Sequence, residues 1–437
     1  MLLPPTNPAL DWQADALDGY RRHVFELGRD PDGEGEIAAV LVRREPREGE
    51  SVHGTVLYVH GFSDYFFQTE LADFFAARGV AFYALDLRKC GRGLRPGQSG
   101  HYVSKLAYYD EELELALAAI AAEHPGLPVL LAAHSTGGLI LPLWVDRRRA
   151  ESRDEGGELR QGAGPGPVSG LVLNSPWLDL QVYPASRRAA MTQMLRLAAK
   201  LAPKRAVKLS PTSVYGDTLH VSGTGEWEYD LALKPSNGFP VKFGWLNAVR
   251  RGHARLHRGL DLGVPALVLR SDRTHFSRRK TELSDRADLV LDVQQIARRA
   301  GCLGAEATVS TIAGARHDVF LSLPEVRGRA YAALGAWLDQ HPEATGADRG
   351  VEVAAVVEAV DVAAVVEAAQ EGETVDAAQV LETVDTAQEA ETVVAAPAVE
   401  MVETAQETGT VGVAPAAEPG AAEPLEAAEA AEPAESA

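Results

Sequence analysis

The stretch at 128–149, P-V-L-L-A-A-H-S-T-G-G-L-I-L-P-L-W-V-D-R-R-R, constrains the fold of this chain more than any other. Val129, Leu130, Leu131 and Ala132 form a continuous apolar run, as a strand covered on both faces would. Gly137 and Gly138 follow, then Leu139, Ile140, Leu143, Trp144 and Val145 at helical spacing. The pattern predicts a strand, a tight turn and a helix, with Ser135 at the turn. Such a turn holds a serine oxygen clear of the backbone. It also aims the positive end of the helix where negative charge would develop in a transition state. The pentapeptide A-H-S-T-G is one step from G-x-S-x-G, with Ala133 in place of the first glycine. Small residues are needed there because the turn packs its two flanks together. The plainer reading of Ser135 is an ordinary turn serine.

The neighbouring segments favour the first reading. Polar, proline-interrupted residues up to about 50 include strand-like pieces such as 37–42, expected as edge hairpin strands. Residues 54–61, G-T-V-L-Y-V-H-G, predict a buried strand. A helix with Leu71, Phe74 and Phe75 on one face comes next, then a strand at 80–85 and a helix at 108–122. After the Ser135 unit, a polar loop at 147–167 leads to a strand at 171–174. The alternation stops between about 179 and 261, which reads as an inserted cap. It resumes with strands at 264–270 and 307–312 and a closing helix carrying Trp337 and Leu338. Strands alternating with helices predict a parallel sheet wrapped by helices.

Charge separates the chain into two parts. After Arg349 there are 20 Asp and Glu and no Lys or Arg. The 62 acidic residues less these 20 leave 42, against 42 basic ones, so the net charge of −20 belongs to the tail. A neutral body gives no electrostatic footprint for nucleic acid. The tail at 347–437 is built from Ala, Val, Glu, Thr and Pro with nine-residue tandem repeats, V-E-V-A-A-V-V-E-A followed by V-D-V-A-A-V-V-E-A. Nine residues do not return to one helical face, and no aromatic is present to seed a core. A disordered or partly helical acidic tail is expected. Two cysteines, Cys90 and Cys302, make no disulfide framework. No run approaches the roughly 18 apolar residues of a membrane span. The start, M-L-L-P-P-T-N-P-A-L-D-W, lacks the pattern of a signal peptide, so a soluble cytoplasmic protein is expected.

A serine nucleophile needs a base, and the base needs an acid to hold its tautomer. His317, in G-A-R-H-D-V-F just past the last strand, is the candidate base. His134 is pinned beside the nucleophile, and His60 is placed to brace the Gly61-Phe62 loop. The oxyanion calls for two backbone N–H donors, expected from Phe62 and Thr136. No metal or organic cofactor is called for.

The segments V-L-Y-V-H-G-F, A-L-D-L-R-K-C-G-R-G, A-A-H-S-T-G-G, L-V-L-N-S-P-W-L-D-L, V-P-A-L-V-L and G-A-R-H-D-V-F occur in the order found in one family. Over about residues 20–340 the chain resembles an α/β-hydrolase of the monoacylglycerol lipase, lysophospholipase and serine aminopeptidase-like branch. The resemblance implies a mostly parallel eight-stranded sheet flanked by helices, a helical cap and a Ser–Asp–His triad in that chain order. Domains of 1–346 (cap about 179–261) and 347–437 follow. Two carboxylates compete for the acid, with Asp288 expected and Asp272 its alternative. Asp272 directly follows the seventh strand; Asp288, in A-D-L-V-L-D, matches the family's acid phrase and stands 29 residues before His317. The implied substrate is a small-molecule, lipid-like carboxylic ester such as a monoacylglycerol or lysophospholipid. The family's usual R-G-H-G-x-S is R-K-C-G-R-G here, where Cys90 reads either as a packed small residue or as a thiol activated by its basic neighbours.

In the cap, Met191, Met194, Leu195, Ala198 and Leu201 recur at three- and four-residue steps, predicting one apolar face. Residues 187–208 hold seven basic residues and no acidic one. A lid over an acyl chain, transient contact with an anionic membrane surface and plain core packing all fit this stripe. Contact of the acidic tail with the basic face is a further option. An aminopeptidase would need carboxylates for the substrate amine, with Glu226, Glu228 and Asp230 as candidates. A non-catalytic scaffold is the alternative outside enzymes.

Overall fold

The computed structural model describes residues 10–152, 167–180, 185–208 and 213–347. The acidic tail and its expected disorder lie outside the described residues, as does most of the polar loop after the Ser135 helix. The chain begins with β1 (Gln13–Ala14), β2 (Tyr20–Arg29), β3 (Glu36–Arg44) and β4 (Gly54–Val59). Helix α1 (Thr69–Ala76), β5 (Val80–Asp86), α2 (Asp110–Glu123), β6 (Val129–His134), α3 (Gly137–Glu151) and β7 (Val168–Asn174) follow. Three helices, α4 (Ala185–Leu201), α5 (Val214–Leu219) and α6 (Phe243–Leu256), separate β7 from β8 (Ala266–Ser271). Helix α7 (Val293–Ala300), β9 (Ala307–Ile312) and α8 (Pro324–Gln340) complete the described chain.

The strands form one sheet in the order β1-β2-β3-β5-β4-β6-β7-β8-β9. The first three are antiparallel to their neighbours, and every pairing from β5 through β4 to β9 is parallel. The sheet has nine strands where eight were expected, because the two-residue β1 adds to the edge beside β2. So short a piece carries no periodicity to read from sequence.

Alternation along the central strands divides the core. Leu57 and Val59 of β4, with Leu131 and Ala133 of β6, face a layer built from α2, α3 and α6, including Leu113, Trp144 and Val249. Val56, Tyr58, Leu130 and Ala132 face the opposite layer, where Phe75 of α1 and Leu334, Trp337 and Leu338 of α8 pack. All six residues of β4 and of β6 are buried, which is why both strands read as unbroken apolar runs. Truncating a core leucine such as Leu131 to alanine costs roughly 2–5 kcal/mol. Among the described residues no helix is long and apolar enough to cross a membrane.

Candidate active site

Ser135 lies between β6 and α3 with φ of +52°, a region few residues other than glycine occupy. Its N–H donates to the Asn174 carbonyl at 2.9 Å, and its own carbonyl accepts from the Trp177 N–H at 2.9 Å. These bonds hold the strained turn. Close packing explains the glycines around it. A Cβ on Gly137 would stand 2.6 Å from the Val59 carbonyl oxygen, and one on Gly61 would stand 3.0 Å from the Ser135 Cβ. The start of α3 thus presses onto the end of β4, and the 61–62 loop runs against the serine.

The loop after β9 carries His317 to this point. Its Nε2 is 3.0 Å from Ser135 Oγ, and its Nδ1 is 2.9 Å from Asp288 Oδ2. The carboxylate beside Nδ1 selects the tautomer with hydrogen on Nδ1, leaving Nε2 as the acceptor facing the serine hydroxyl. The other oxygen, Asp288 Oδ1, accepts from the Val290 and Leu291 N–H groups, each at 2.7 Å. Asp288 is fully buried, and these two amides fix its carboxylate plane. Asp288 reaches this position because the 272–288 excursion doubles back. The His275 N–H donates to the Asp288 carbonyl, and the Asp288 N–H to the Arg273 carbonyl. Asp272 is not brought to His317. Burial would raise its carboxyl, but pairing with Arg273 and the Gly314 N–H at 2.8 Å hold it below its ordinary value.

Among the described residues, neither the Phe62 nor the Thr136 N–H donates to a protein acceptor. His60 braces the Phe62 loop, as its sequence position suggests: Nδ1 donates to the Gly61 carbonyl at 2.7 Å, and Nε2 accepts from the Leu87 N–H at 3.2 Å. Aromatic rings cluster around Phe62. Phe62 lies 4.2 Å from Trp245 and 5.3 Å from His101, Trp245 lies 5.8 Å from Trp177, and His101 lies 5.3 Å from Phe239. Burial pushes His101 well below its ordinary value, so it packs as a neutral ring. Burial likewise lowers His253 to about 4, and its Nε2 donates to the Trp177 carbonyl at 2.8 Å.

Sequence reasoning missed the polar groups that tie the His317 loop to β7 and α5. Asn174 donates to Asp318 at 2.6 Å and accepts the Val319 N–H at 3.1 Å, which ties the end of β7 to the His317 loop. The Tyr215 hydroxyl accepts the Asp318 N–H at 3.1 Å, and its ring stands edge-on to His317 at 5.7 Å. A polar Asn closing the apolar run V-S-G-L-V-L-N was the available signal for the first; α5 offers none for the second.

The loop carrying Cys90 is not a reactive-thiol site. Cys90 is buried, and burial first, then Asp86 and Glu112, push its thiol well above the ordinary value. The nearby cations are already paired: Arg88 with Glu111 and Glu112, Lys89 with Asp30, Arg92 with Asp15 and Asp86. The cap stripe also differs from expectation. Leu195 is buried, but Met194, Leu197 and Leu201 are exposed at 63%, 58% and 73%, so α4 turns a second apolar row outward.

Residues 50–323 match the family described as serine aminopeptidase, S33, over more than half of the 437 residues. The chain belongs to this hydrolase family. The α/β-hydrolase fold described above is accompanied by similarity to solved structures. A highly thermostable carboxyl esterase from Bacillus coagulans in complex with glycerol superposes with a TM-score of 0.50 at 14% identity, covering 74% of this chain and 99% of that chain. A soluble variant of monoglyceride lipase from Saccharomyces cerevisiae, in complex with a substrate analog, gives 0.48 at 17% identity, covering 78% and 98%. The Paleococcus ferrophilus monoacylglycerol lipase gives 0.44 at 18% identity, covering 74% and 99%. A comparison with curated protein sequences finds no match.

Proposed function

We propose that this hydrolase cleaves carboxylic esters through a serine acyl-enzyme. One observation carries the reading: Ser135 Oγ, His317 and the Asp288 carboxylate stand in a hydrogen-bonded line, at 3.0 and 2.9 Å. Ser135 Oγ attacks the ester carbonyl as His317 Nε2 takes its proton. The Asp288 carboxylate stabilises the imidazolium that results. The Phe62 and Thr136 amides, with the N-terminus of α3, receive the oxyanion. His317 then protonates the departing alcohol, and water activated by the same imidazole releases the acid.

The aromatic wall of Phe62, Trp177, Trp245 and Phe239 supports an apolar acyl group, hence a lipid-like ester such as a monoacylglycerol or lysophospholipid. The outward row of Met194, Leu197 and Leu201, among the basic residues of α4, supports transient contact with an anionic lipid surface. The peptidase reading lacks its amine anchor at the residues expected for it. Glu226 pairs with Arg327, Asp230 accepts the Ala232 N–H, and Glu228 is exposed.

Labelling by a fluorophosphonate probe tests the nucleophile, and a hydrolysis screen of p-nitrophenyl esters, monoacylglycerols and lysophospholipids tests the substrate class. Both signals are expected from the native chain and absent in Ser135→Ala. Hydrolysis of amino-acid amides in preference to every ester would displace the esterase reading.

A further inference from the structure

Four consecutive residues of the loop after β4 are each held by one stretch, 230–245, that runs from beyond α5 into the first turn of α6. The Phe62 ring packs 4.2 Å from Trp245. The Ser63 hydroxyl accepts the Phe239 N–H at 2.6 Å. Asp64 Oδ1 accepts from Lys234 Nζ at 2.6 Å, and the Tyr65 hydroxyl accepts the Asp230 N–H at 2.8 Å. Asp64 Oδ2 also accepts from His134 Nδ1 at 3.1 Å, and His134 immediately precedes Ser135. One buried carboxylate therefore joins three parts: the loop bearing the Phe62 amide, the turn bearing the Thr136 amide, and the 230–245 stretch.

The charges are well enclosed. Asp64 is 1% exposed and Lys234 7%, and the ammonium lies 5.5 and 5.7 Å from the Phe67 and Tyr229 rings. Burial alone would raise the Asp64 carboxyl, but Lys234 and His134 hold it well below the usual carboxylate range. A buried ion pair is a poor source of net stability, since desolvation consumes most of its Coulombic gain. What it supplies is direction. Direction matters in this loop, where Ser63 sits at φ of +56° and the backbone would relax without its ties.

We propose that Lys234 is a positioning residue of the oxyanion hole, fixing the spacing of the Phe62 and Thr136 amides by holding Asp64 against His134. Its role rests on the serine-hydrolase function proposed above. Lys234 is buried with its ammonium held by Asp64, so its loss should act on turnover rather than on binding.

The test uses full-length Lys234→Met and the double variant Asp64→Asn/Lys234→Met, assayed on p-nitrophenyl esters with melting followed by circular dichroism. Lys234→Met alone leaves a buried carboxylate without its cation, and the double variant removes that charge so that the fold is retained. Because losing one oxyanion donor outright costs about 10²–10³ in kcat, displacing it should lower kcat by roughly 10- to 10²-fold, with KM within about threefold. A folded double variant with native kcat would overturn the proposal, as would a loss carried by KM alone. A native chain that neither hydrolyses esters nor takes the fluorophosphonate label would instead overturn the serine-hydrolase function, and this role with it.

Discussion

At the scale of single residues, the site concentrates cost at Ser135, whose positive φ is held by hydrogen bonds to Asn174 and Trp177. Under the proposed mechanism, Ser135→Ala lowers ester turnover by on the order of 10⁴ or more, with melting unchanged. A variant keeping a tenth of native turnover would remove Ser135 from the role. The acid gives a sharper comparison. Asp288→Asn should cost roughly 10³–10⁴ in kcat, because an asparagine cannot hold the working tautomer of His317. Asp272→Asn should turn over near normally, since its carboxylate serves Gly314 and Arg273. A crippled Asp272→Asn beside a near-normal Asp288→Asn would reverse the assignment. Ser135 and His317 were legible as candidates because each sits in a local pattern. Asp288 was favoured over Asp272 through the resemblance of A-D-L-V-L-D to the family's acid phrase and its spacing to His317. What carries the Asp288 carboxylate to His317 is the pairing of Thr274 with Asp288, which closes a loop no periodicity records.

At the scale of elements, the loop R-K-C-G-R-G shows why a charged run resists reading in isolation. Its three cations look free in sequence, yet their partners come from distant segments at Asp15, Asp30, Glu111 and Glu112, with Asp86 nearer by. Lys89 is fully buried, 2.8 Å from an Asp30 side chain that is 1% exposed. Lys89→Met strands that carboxylate and should destabilise the fold by about 3–5 kcal/mol, readable in urea denaturation. A loss below about 1 kcal/mol, as for a solvent-exposed pair, would overturn the burial of this one. Helix α4 departs from the other direction. Its stripe of apolar residues was legible, but which of them face the body was not, because 3- and 4-residue steps at 191, 194, 195, 198 and 201 fit two adjacent rows. With Met194, Leu197 and Leu201 exposed, changing all three to glutamine should weaken sedimentation with anionic vesicles while leaving turnover of a soluble ester intact. Equal vesicle binding by the variant would exclude this row as the contact.

At the scale of the whole molecule, the parallel sheet wrapped by helices followed from the alternation of strands and helices, since parallel neighbours require crossovers, whereas the strand order with β5 outside β4 did not. Closures between distant segments were not legible. The 230–245 stretch returns onto residues 62–65, and the last described residues return onto β4. His53 Nδ1 lies 3.0 Å from the Thr345 carbonyl, the Ser169 hydroxyl donates to the Ala344 carbonyl at 2.8 Å, and a Cβ on Gly54 would collide with Thr345 at 1.9 Å. Ala344 is fully buried. The body therefore extends through this short closing turn, and every residue of the candidate site precedes it. We propose that the unit needed for folding and hydrolysis ends just past Gly346, so that a chain of 1–347 keeps the melting temperature and ester turnover of the full 437 residues. A chain ending at Gln340 loses the Ala344 and Thr345 contacts and exposes the lower edge of β4 and β7, so it should melt several degrees lower. Paired melting curves and turnover for the three lengths decide the boundary. A drop already at 1–347 would place part of the folded unit in the acidic segment, and no drop at 1–340 would mean that the closing turn contributes nothing to stability.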